Sequence, residues 1–154
     1  MSGGLTPSIL GVPSILEVPA QRAAFEHARQ LQDFAAAQGF DWPDVADIWA
    51  KIYEELDELA AGIANQDAAN TAEEVGDVLF AVTNLARRLG VNPESALAAT
   101  NQKFIARFEA MERSAALDGV ALADEPIAAQ IARYQRAKQL LAQAAAFDPP
   151  RTSV

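Results

Sequence analysis

Acidic side chains are concentrated in one stretch of the sequence, at spacings that place them on common helix faces. Residues 51–80 carry eight acids and one base, a net −7 out of −9 for the whole 154-residue chain. At 3.6 residues per turn, four side chains fall within an arc of about 100° beside an apolar stripe. They are Lys51, Glu54, Glu55 and Glu58. Asp57 lies further round toward solvent, and Glu74 with Asp77 forms a second pair beside another stripe.

Carboxylates this close to one another require a positive charge nearby that offsets their mutual repulsion. Like charges one helical turn apart repel, and the repulsion grows beside a core, where the effective dielectric constant falls. A divalent cation is a suitable partner, because Mg²⁺ and Mn²⁺ prefer oxygen ligands and Mg²⁺ often bridges to substrate phosphates. Alternatively, these acidic residues could simply lie on helix faces that are exposed to solvent. Capping boxes formed by Thr71 with Glu74, or by Asn70 with Glu73, are a further alternative that the sequence leaves open.

A basic pair follows the acids. Lys103 and Arg107 are four residues apart and near Asn101, in a segment (residues 81–113) with three acids and five bases. A lysine and an arginine one turn apart can bind successive phosphates, although an exposed basic pair would look the same. Together, the acids and bases favour a small polyphosphorylated ligand. A pI of about 4.5 disfavours nucleic acid as a partner.

Composition excludes several other kinds of site. The chain has no cysteine, and therefore no disulfide framework, thiolate metal site or thiol nucleophile. A single histidine, His27, excludes HExxH zinc sites and disfavours a di-iron bundle, whose Glu-x-x-His elements need more histidines. No apolar run approaches the ~18 residues of a transmembrane helix, and no signal peptide is recognised. We therefore expect a cytoplasmic protein without membrane contact.

Helices must position these residues. After an irregular arm at residues 1–19, the pattern is helical, with abundant alanine and no β-branched alternation. Five helices are predicted, at residues 20–38, 43–64, 67 or 70 to 89, 93–117 and 125–146. The second is expected to open near Pro43, and the fourth to be capped by Asn92. The prediction is an all-α domain at residues 20–147, an antiparallel bundle of about five helices with a tail at 148–154.

Apolar residues at helical spacing predict the core. They are Ile48, Ile52, Leu56, Leu59 and Ile63 in the second helix, Val75, Val78, Val82, Leu85 and Leu89 in the third, and Leu97, Phe104, Phe108 and Met111 in the fourth. Helices this apolar are expected to need a second subunit, so we predict that a homodimer completes the bundle. Gly76, which costs ~1 kcal/mol relative to alanine inside a helix, indicates either close helix packing or close approach of a ligand.

In their order along the chain, these residues resemble the motifs of the MazG nucleoside triphosphate pyrophosphohydrolases, in the all-α NTP pyrophosphatase superfamily. The matching segments are Lys51, Glu54-Glu55-x-x-Glu58, Glu74-x-x-Asp77 and Asn101-x-Lys103-Phe104-x-x-Arg107-Phe108, preceded by Gly39-Phe40-Asp41-Trp42-Pro43. The likeness covers residues 20–114 and continues weakly to about residue 138. One copy of the domain is recognised, whereas longer members of the family have two.

The resemblance implies a role for each of these residues. The implied Mg²⁺ ligands, with Mn²⁺ as an alternative ion, are Glu55, Glu58, Glu74 and Asp77. The residues implied to bind the substrate are Lys51, Glu54, Asn101, Lys103, Arg107 and Tyr134. Tyr134 stands where the family carries a tryptophan near the nucleotide, and it can still stack on a base. Glu54 is our candidate for orienting or deprotonating the attacking water, and Glu55 is counted with it as catalytic.

The expected activity is Mg²⁺-dependent hydrolysis of NTPs and dNTPs to a monophosphate and pyrophosphate, with cleaning of the nucleotide pool as the role. A narrower substrate stays open, such as dUTP, dCTP, a damaged nucleotide or phosphoribosyl-ATP, because the superfamily includes such relatives. A non-catalytic helical oligomer that binds nucleotide or metal is the alternative from another class of protein.

Overall fold

The computed structural model describes residues 23–147, which are helical with no strand among them. The helices are α1 (Ala24–Ala37), α2 (Val45–Ala64), α3 (Ala68–Arg88), α4 (Pro93–Leu117) and α5 (Ile127–Phe147), with a short 3-10 helix at Leu122–Asp124. The all-α prediction is confirmed. The expected arm (1–19) and tail (148–154), and residues 20–22 of the first predicted helix, lie outside the described residues. No helix in the described range is long and apolar enough to cross a lipid bilayer.

The start of α2 is set by a capping box, two residues later than predicted. The Asp44 side chain accepts hydrogen bonds from the backbone N–H groups of Ala46 and Asp47, and the Asp47 carboxylate accepts one from the Asp44 N–H. These bonds satisfy N–H groups that have no partner within the helix. Pro43 therefore lies in the approach to α2 and not in its first turn.

The starts of α3 and α4 also depend on side-chain caps. Asp67 caps α3 by accepting from the Asn70 N–H. Thr71 and Asn70 consequently lie inside the helix, so the alternative of capping boxes at these two residues does not hold. Asn92 caps α4 as predicted, since its Oδ1 accepts from the Ser95 N–H at 2.9 Å.

The described residues divide into two units, one ending at Ala96 and the other beginning at Leu97. In the first unit, α3 packs against both α2 and α1. The buried core there consists of Ile48, Ile52, Ala81 and Leu85. Burial of side chains such as the two isoleucines stabilises a fold by ~1.5–3 kcal/mol each.

The predicted apolar stripes are only partly buried. Outside the core of the first unit, Met111 is buried as expected. Several stripe residues are exposed instead, namely Leu56, Ile63, Val75, Val82, Leu89, Leu97, Phe104 and Phe108. A helix buries only the part of its stripe that a neighbour covers. The prediction that these residues form the core of the single chain is therefore wrong.

A close approach of α2 to α3 occurs at Gly62. A Cβ at this position would lie 2.9 Å from Asn70 Nδ2 and 3.2 Å from Thr71 Oγ1, so a larger residue would displace at least the Asn70 side chain. Gly76 is different, because its Cβ position has no atom of the described residues within 4 Å apart from its chain neighbours and the backbone of its own helix. Close helix packing is thus the reason for Gly62 and not for Gly76.

In the second unit, Arg133 ties α5 to α4 and to the segment between them. The Arg133 side chain is buried, and it donates to Glu125, Asp118 and Ser114 at 2.7 Å. Its hydrogen bonds raise the pKa of Arg133 and lower the pKa of Glu125. The 3-10 turn occupies the region before α5, so α5 begins at Ile127 and not at the predicted Glu125.

Candidate metal and nucleotide site

Three carboxylates from two helices converge in the first unit. One oxygen from each of Glu55, Glu58 and Glu74 lies within 4.8 Å of the other two. Glu55 and Glu58 share a face of α2 because they are three residues apart. Gly62, one turn after Glu58, lies close to Asn70 and Thr71, and Glu74 follows about one turn later on α3.

The most deeply buried member of this cluster is held by a lysine. Glu55 is only 5% exposed, and carboxylates are almost never fully buried unless they are paired. Lys51 Nζ lies 2.7 Å from Glu55 Oε1 and 2.8 Å from Glu54 Oε1. The hydrogen bonds to Glu54 and Glu55 raise the pKa of Lys51. One ammonium group therefore serves two carboxylates.

The other two members carry charge that is poorly compensated. Loss of hydration raises the pKa of Glu58, and the charges of Glu55 and Glu54 raise it further. The pKa of Glu74 is raised by loss of hydration and then by the charges of Glu58 and Asp77. Glu74 Oε2 is buried without a hydrogen-bond partner among the described residues. A buried carboxylate oxygen without a donor, in a cluster of like charges, fits a divalent cation.

The chemistry of the donor set agrees with this interpretation. The three clustered groups offer only carboxylate oxygens, the ligands that Mg²⁺ and Mn²⁺ prefer. Asp77, the fourth expected ligand, is not one of the three residues whose oxygens converge. Asp77 lines a cavity together with Lys51 and Glu55, so it lies close to the cluster without completing it.

This cavity opens beside the carboxylates and has a volume of about 800 Å³. It is bounded by α1, by the loop before α2, by α2 and by α3. The apolar residues in its wall include Leu31, Ala35, Phe40, Trp42, Ile48 and Phe80. Pockets of this size and composition are typical of small-molecule sites.

Two arginines at the end of α3 fix the loop at residues 39–43. Arg87 Nη2 lies 2.5 Å and Arg88 Nη1 3.5 Å from the Asp41 carboxylate, and Arg88 also donates to the backbone oxygen of Trp42. Loss of hydration acts to raise the pKa of Asp41, but its hydrogen bonds with Arg87 and Trp42 lower it overall. From the sequence, the run at residues 39–43 stands only as part of a family resemblance, which implies no role for its side chains.

The remaining expected substrate residues lie in the second unit. Arg107 Nη1 donates to the Tyr134 hydroxyl at 3.1 Å, and the guanidinium carbon lies 5.7 Å from the centre of the Tyr134 ring. The rings of Tyr134 and Phe104 are 6.2 Å apart. Asn101 and Lys103 are exposed on α4. The structure thus pairs Arg107 with Tyr134 and leaves the other two side chains in solvent.

Several known proteins are similar in sequence to most of this chain. Residues 44–111 match the MazG nucleotide pyrophosphohydrolase domain family. The chain is 41% identical over 115 residues to the nucleoside triphosphate pyrophosphohydrolase/pyrophosphatase MazG of Thermotoga maritima, which covers 75% of this chain and 44% of that protein. It is 42% identical over 106 residues to a nucleoside triphosphate pyrophosphohydrolase of Escherichia coli K12, covering 68% of this chain and 40% of the relative. The chain spans less than half the length of these relatives. It carries a MazG nucleotide pyrophosphohydrolase domain at residues 44–111.

Proposed function

We propose that this chain hydrolyses nucleoside and deoxynucleoside triphosphates to monophosphate and pyrophosphate, with Mg²⁺ as cofactor and Mn²⁺ as an alternative ion. The observation that carries the proposal is the convergence of Glu55, Glu58 and Glu74 beside a cavity, within the matched domain. The two relatives named above are described as nucleoside triphosphate pyrophosphohydrolases. The proposed role is cleaning of the nucleotide pool, in the cytoplasm.

The carboxylates of the first unit would hold the cation. The proposed ligands are Glu55, Glu58, Glu74 and Asp77. When bound, a divalent cation supplies charge neutralisation at the phosphate oxygens and Lewis acidity toward the attacking water. Glu54 is proposed to orient or deprotonate that water, because it is exposed beside the cluster and Lys51 already fixes its carboxylate. Lys51 balances the charge of Glu54 and Glu55 until substrate arrives, and is also a proposed phosphate contact.

Side chains of α4 and α5 would bind the triphosphate. Lys103 offers a mobile ammonium, Arg107 offers a planar guanidinium, and Asn101 offers an amide donor. Tyr134 accepts one N–H of Arg107 and thereby fixes the orientation of the guanidinium. The other N–H groups of Arg107 remain to donate to phosphate oxygens.

A nucleotide panel tests the proposed activity. The full chain is incubated with each NTP and dNTP, with dUTP and with phosphoribosyl-ATP, in the presence of Mg²⁺, Mn²⁺ or a chelator. We expect pyrophosphate from several nucleotides with either metal ion and none with the chelator. Turnover of one nucleotide alone would replace the broad substrate class by a narrow one. Nucleotide binding without release of pyrophosphate under any of these conditions would refute the proposed enzymatic activity. It would favour a non-catalytic helical oligomer that binds nucleotide or metal.

We also propose that the chain forms a homodimer through the face of α2 and α3 that lacks a covering helix within the first unit. Large apolar side chains on this face are exposed, namely Trp49, Tyr53, Leu56, Ile63, Val75, Leu79, Val82 and Leu89. Exposed apolar patches of this kind are typical of interfaces. A two-fold axis would cover the same face on both copies at once.

Leu79→Glu is expected to convert the dimer to a monomer. Leu79 is 46% exposed in the single chain, so a carboxylate costs little there, but it would be buried without a partner in the interface. Light scattering coupled to gel filtration measures the mass of each variant. Leu117→Glu is the control, because Leu117 is 88% exposed and lies outside the proposed face. A dimeric Leu79→Glu variant would contradict this interface.

A further inference from the structure

Helix α1 forms part of the wall of the cavity in the first unit, and its two ends are held in different ways. Its residues that line the cavity are Leu31, Gln32 and Ala35. We propose that α1 is a lid that opens and closes this cavity, turning at Gly39 and latched at its first turn by Glu94. The inference rests on the proposed function only for the identity of the molecule that the lid admits.

The latch is a hydrogen bond between the start of α1 and the start of α4, within the first unit. Ala23, the N-cap residue of α1, offers no side-chain acceptor to the first turn. Glu94 Oε1 accepts instead from the Phe25 N–H at 3.2 Å, across 69 residues of sequence. A first-turn N–H group has no partner within its own helix, and a carboxylate near a helix N-terminus also interacts favourably with the helix dipole. Glu94 therefore holds the first turn of α1 from another helix.

The packing of α1 on α3 is weak enough to be released. The buried residue of α1 is polar, because Gln32 is 6% exposed whereas Phe25 and Phe34 are half-buried. Gln32 Nε2 donates to the backbone oxygen of Phe80 at 2.9 Å, but its Oε1 has no partner among the described residues. An unpaired buried carbonyl costs free energy in the closed form, and water satisfies it once α1 moves away. Segments with few buried apolar contacts are the first to open.

The other end of α1 provides the hinge. Gly39, which follows the helix, has a φ of 86°, a conformation that glycine adopts without a steric penalty. Beyond it, Asp41 is held by Arg87, so the chain is fixed on the far side of Gly39. The Asp33–Arg87 pair links α1 itself to α3 across 3.8 Å, and a pair of this length with an exposed partner contributes little. Helix α1 can therefore turn about Gly39 while the loop stays in place.

Amide hydrogen exchange distinguishes a lid from a frayed helix end. In Glu94→Ala, we expect the amides of residues 28–37 to exchange about tenfold faster, equally along the helix, while those of α2 are unchanged. Ala23→Asp gives α1 a cap of its own, because Ala23 is exposed and has an extended backbone. This change alone should slow the exchange about fivefold, and it should reverse the effect of Glu94→Ala.

The control for the exchange experiment is Glu112→Ala, which removes an exposed charge from α4. It should leave the exchange of α1 unchanged. Faster exchange confined to the first turn of α1 would show that Glu94 is only a cap, and would overturn the lid. Unchanged exchange of α1 in Glu94→Ala would overturn the latch.

A single cysteine tests whether α1 controls access to the cavity. The chain has no cysteine, so Ala81→Cys places one thiol in the cavity wall, at a residue that is 8% exposed. Its reaction with an aromatic disulfide reagent should be about tenfold faster when Glu94→Ala is added, and about fivefold slower when Ala23→Asp is added. Equal reaction rates in the three chains would overturn the proposal. Neither measurement uses turnover, so absence of pyrophosphate from the unmodified chain would refute the proposed hydrolysis and leave the lid to be judged by exchange and labelling.

Discussion

Glu58→Gln is expected to abolish Mg²⁺-dependent pyrophosphate release, by at least about 100-fold, while making the metal-free chain more stable. The substitution keeps the shape of the side chain and removes one of three converging charges. Loss of hydration and the charges of Glu55 and Glu54 raise the pKa of Glu58 in the folded chain. Ionised Glu58 therefore opposes folding, and a neutral amide at this position relieves that cost.

The sign of the pH dependence follows from the raised pKa. Between the ordinary and the raised value, the folded chain binds more protons than the unfolded chain, so the free energy of unfolding falls as pH rises through that window. The glutamine variant should lose this part of the pH dependence. Its melting temperature without metal should exceed that of the unmodified chain at neutral pH, and added Mg²⁺ should no longer raise it.

Asp57→Asn is the matched control for Glu58→Gln. Asp57 neighbours Glu58 in the sequence and is exposed on α2, so its substitution removes the same formal charge outside the cluster. We expect the Asp57 variant to keep both its activity and its response to Mg²⁺. Full activity of Glu58→Gln, or an unchanged Mg²⁺-dependent rise in its melting temperature, would contradict the metal assignment.

Lys51→Met is expected to lower both the activity and the metal-free stability. Glu55 is 5% exposed and relies on Lys51 Nζ at 2.7 Å. Loss of that ammonium leaves a buried carboxylate beside Glu58 and Glu74, which should cost about 2 kcal/mol or more in unfolding free energy. Because Lys51 is also a proposed phosphate contact, kcat/KM should fall by about 100-fold.

Mg²⁺ should restore much of the stability lost in Lys51→Met. A cation among the carboxylates replaces the missing ammonium, so the Mg²⁺-dependent rise in melting temperature should be larger than in the unmodified chain. Lys138→Met, a substitution of an exposed lysine on α5, serves as the control for loss of a positive charge. Compared with Lys51→Met, a Lys51→Arg variant should recover part of the activity and part of the metal-free stability. A Lys51→Met chain of unchanged metal-free stability would show that Glu55 does not depend on Lys51.

Local sequence signals predicted the helices well, because capping and periodicity act within a few residues. Asn92 and Pro93 mark the start of α4 where the structure has it. The same periodicity could not tell which part of a stripe is buried. Ile48 and Leu56 belong to one predicted stripe, yet Ile48 is 1% and Leu56 is 43% exposed. The difference depends on which neighbour packs on each face, and that information is not local.

In the candidate site too, the sequence predicted the local features but not those that depend on packing between helices. Spacing predicted that Glu55 and Glu58 share a face, but not that Glu55 is buried against Lys51. The convergence with Glu74 depends on how α3 packs against α2, which helical spacing within one segment does not encode. The partners of Arg133 come from three separate places on the chain, so no spacing rule could identify that residue.

The tie between the loop at residues 39–43 and the end of α3 also has a consequence for local unfolding. Arg87 and Arg88 are the last two residues of α3, and both contact Asp41. The loop cannot swing out without releasing these two guanidinium groups, and the last turn of α3 cannot fray without releasing the loop. The two segments therefore open as one cooperative unit, and their amide hydrogens should exchange with solvent at a common rate.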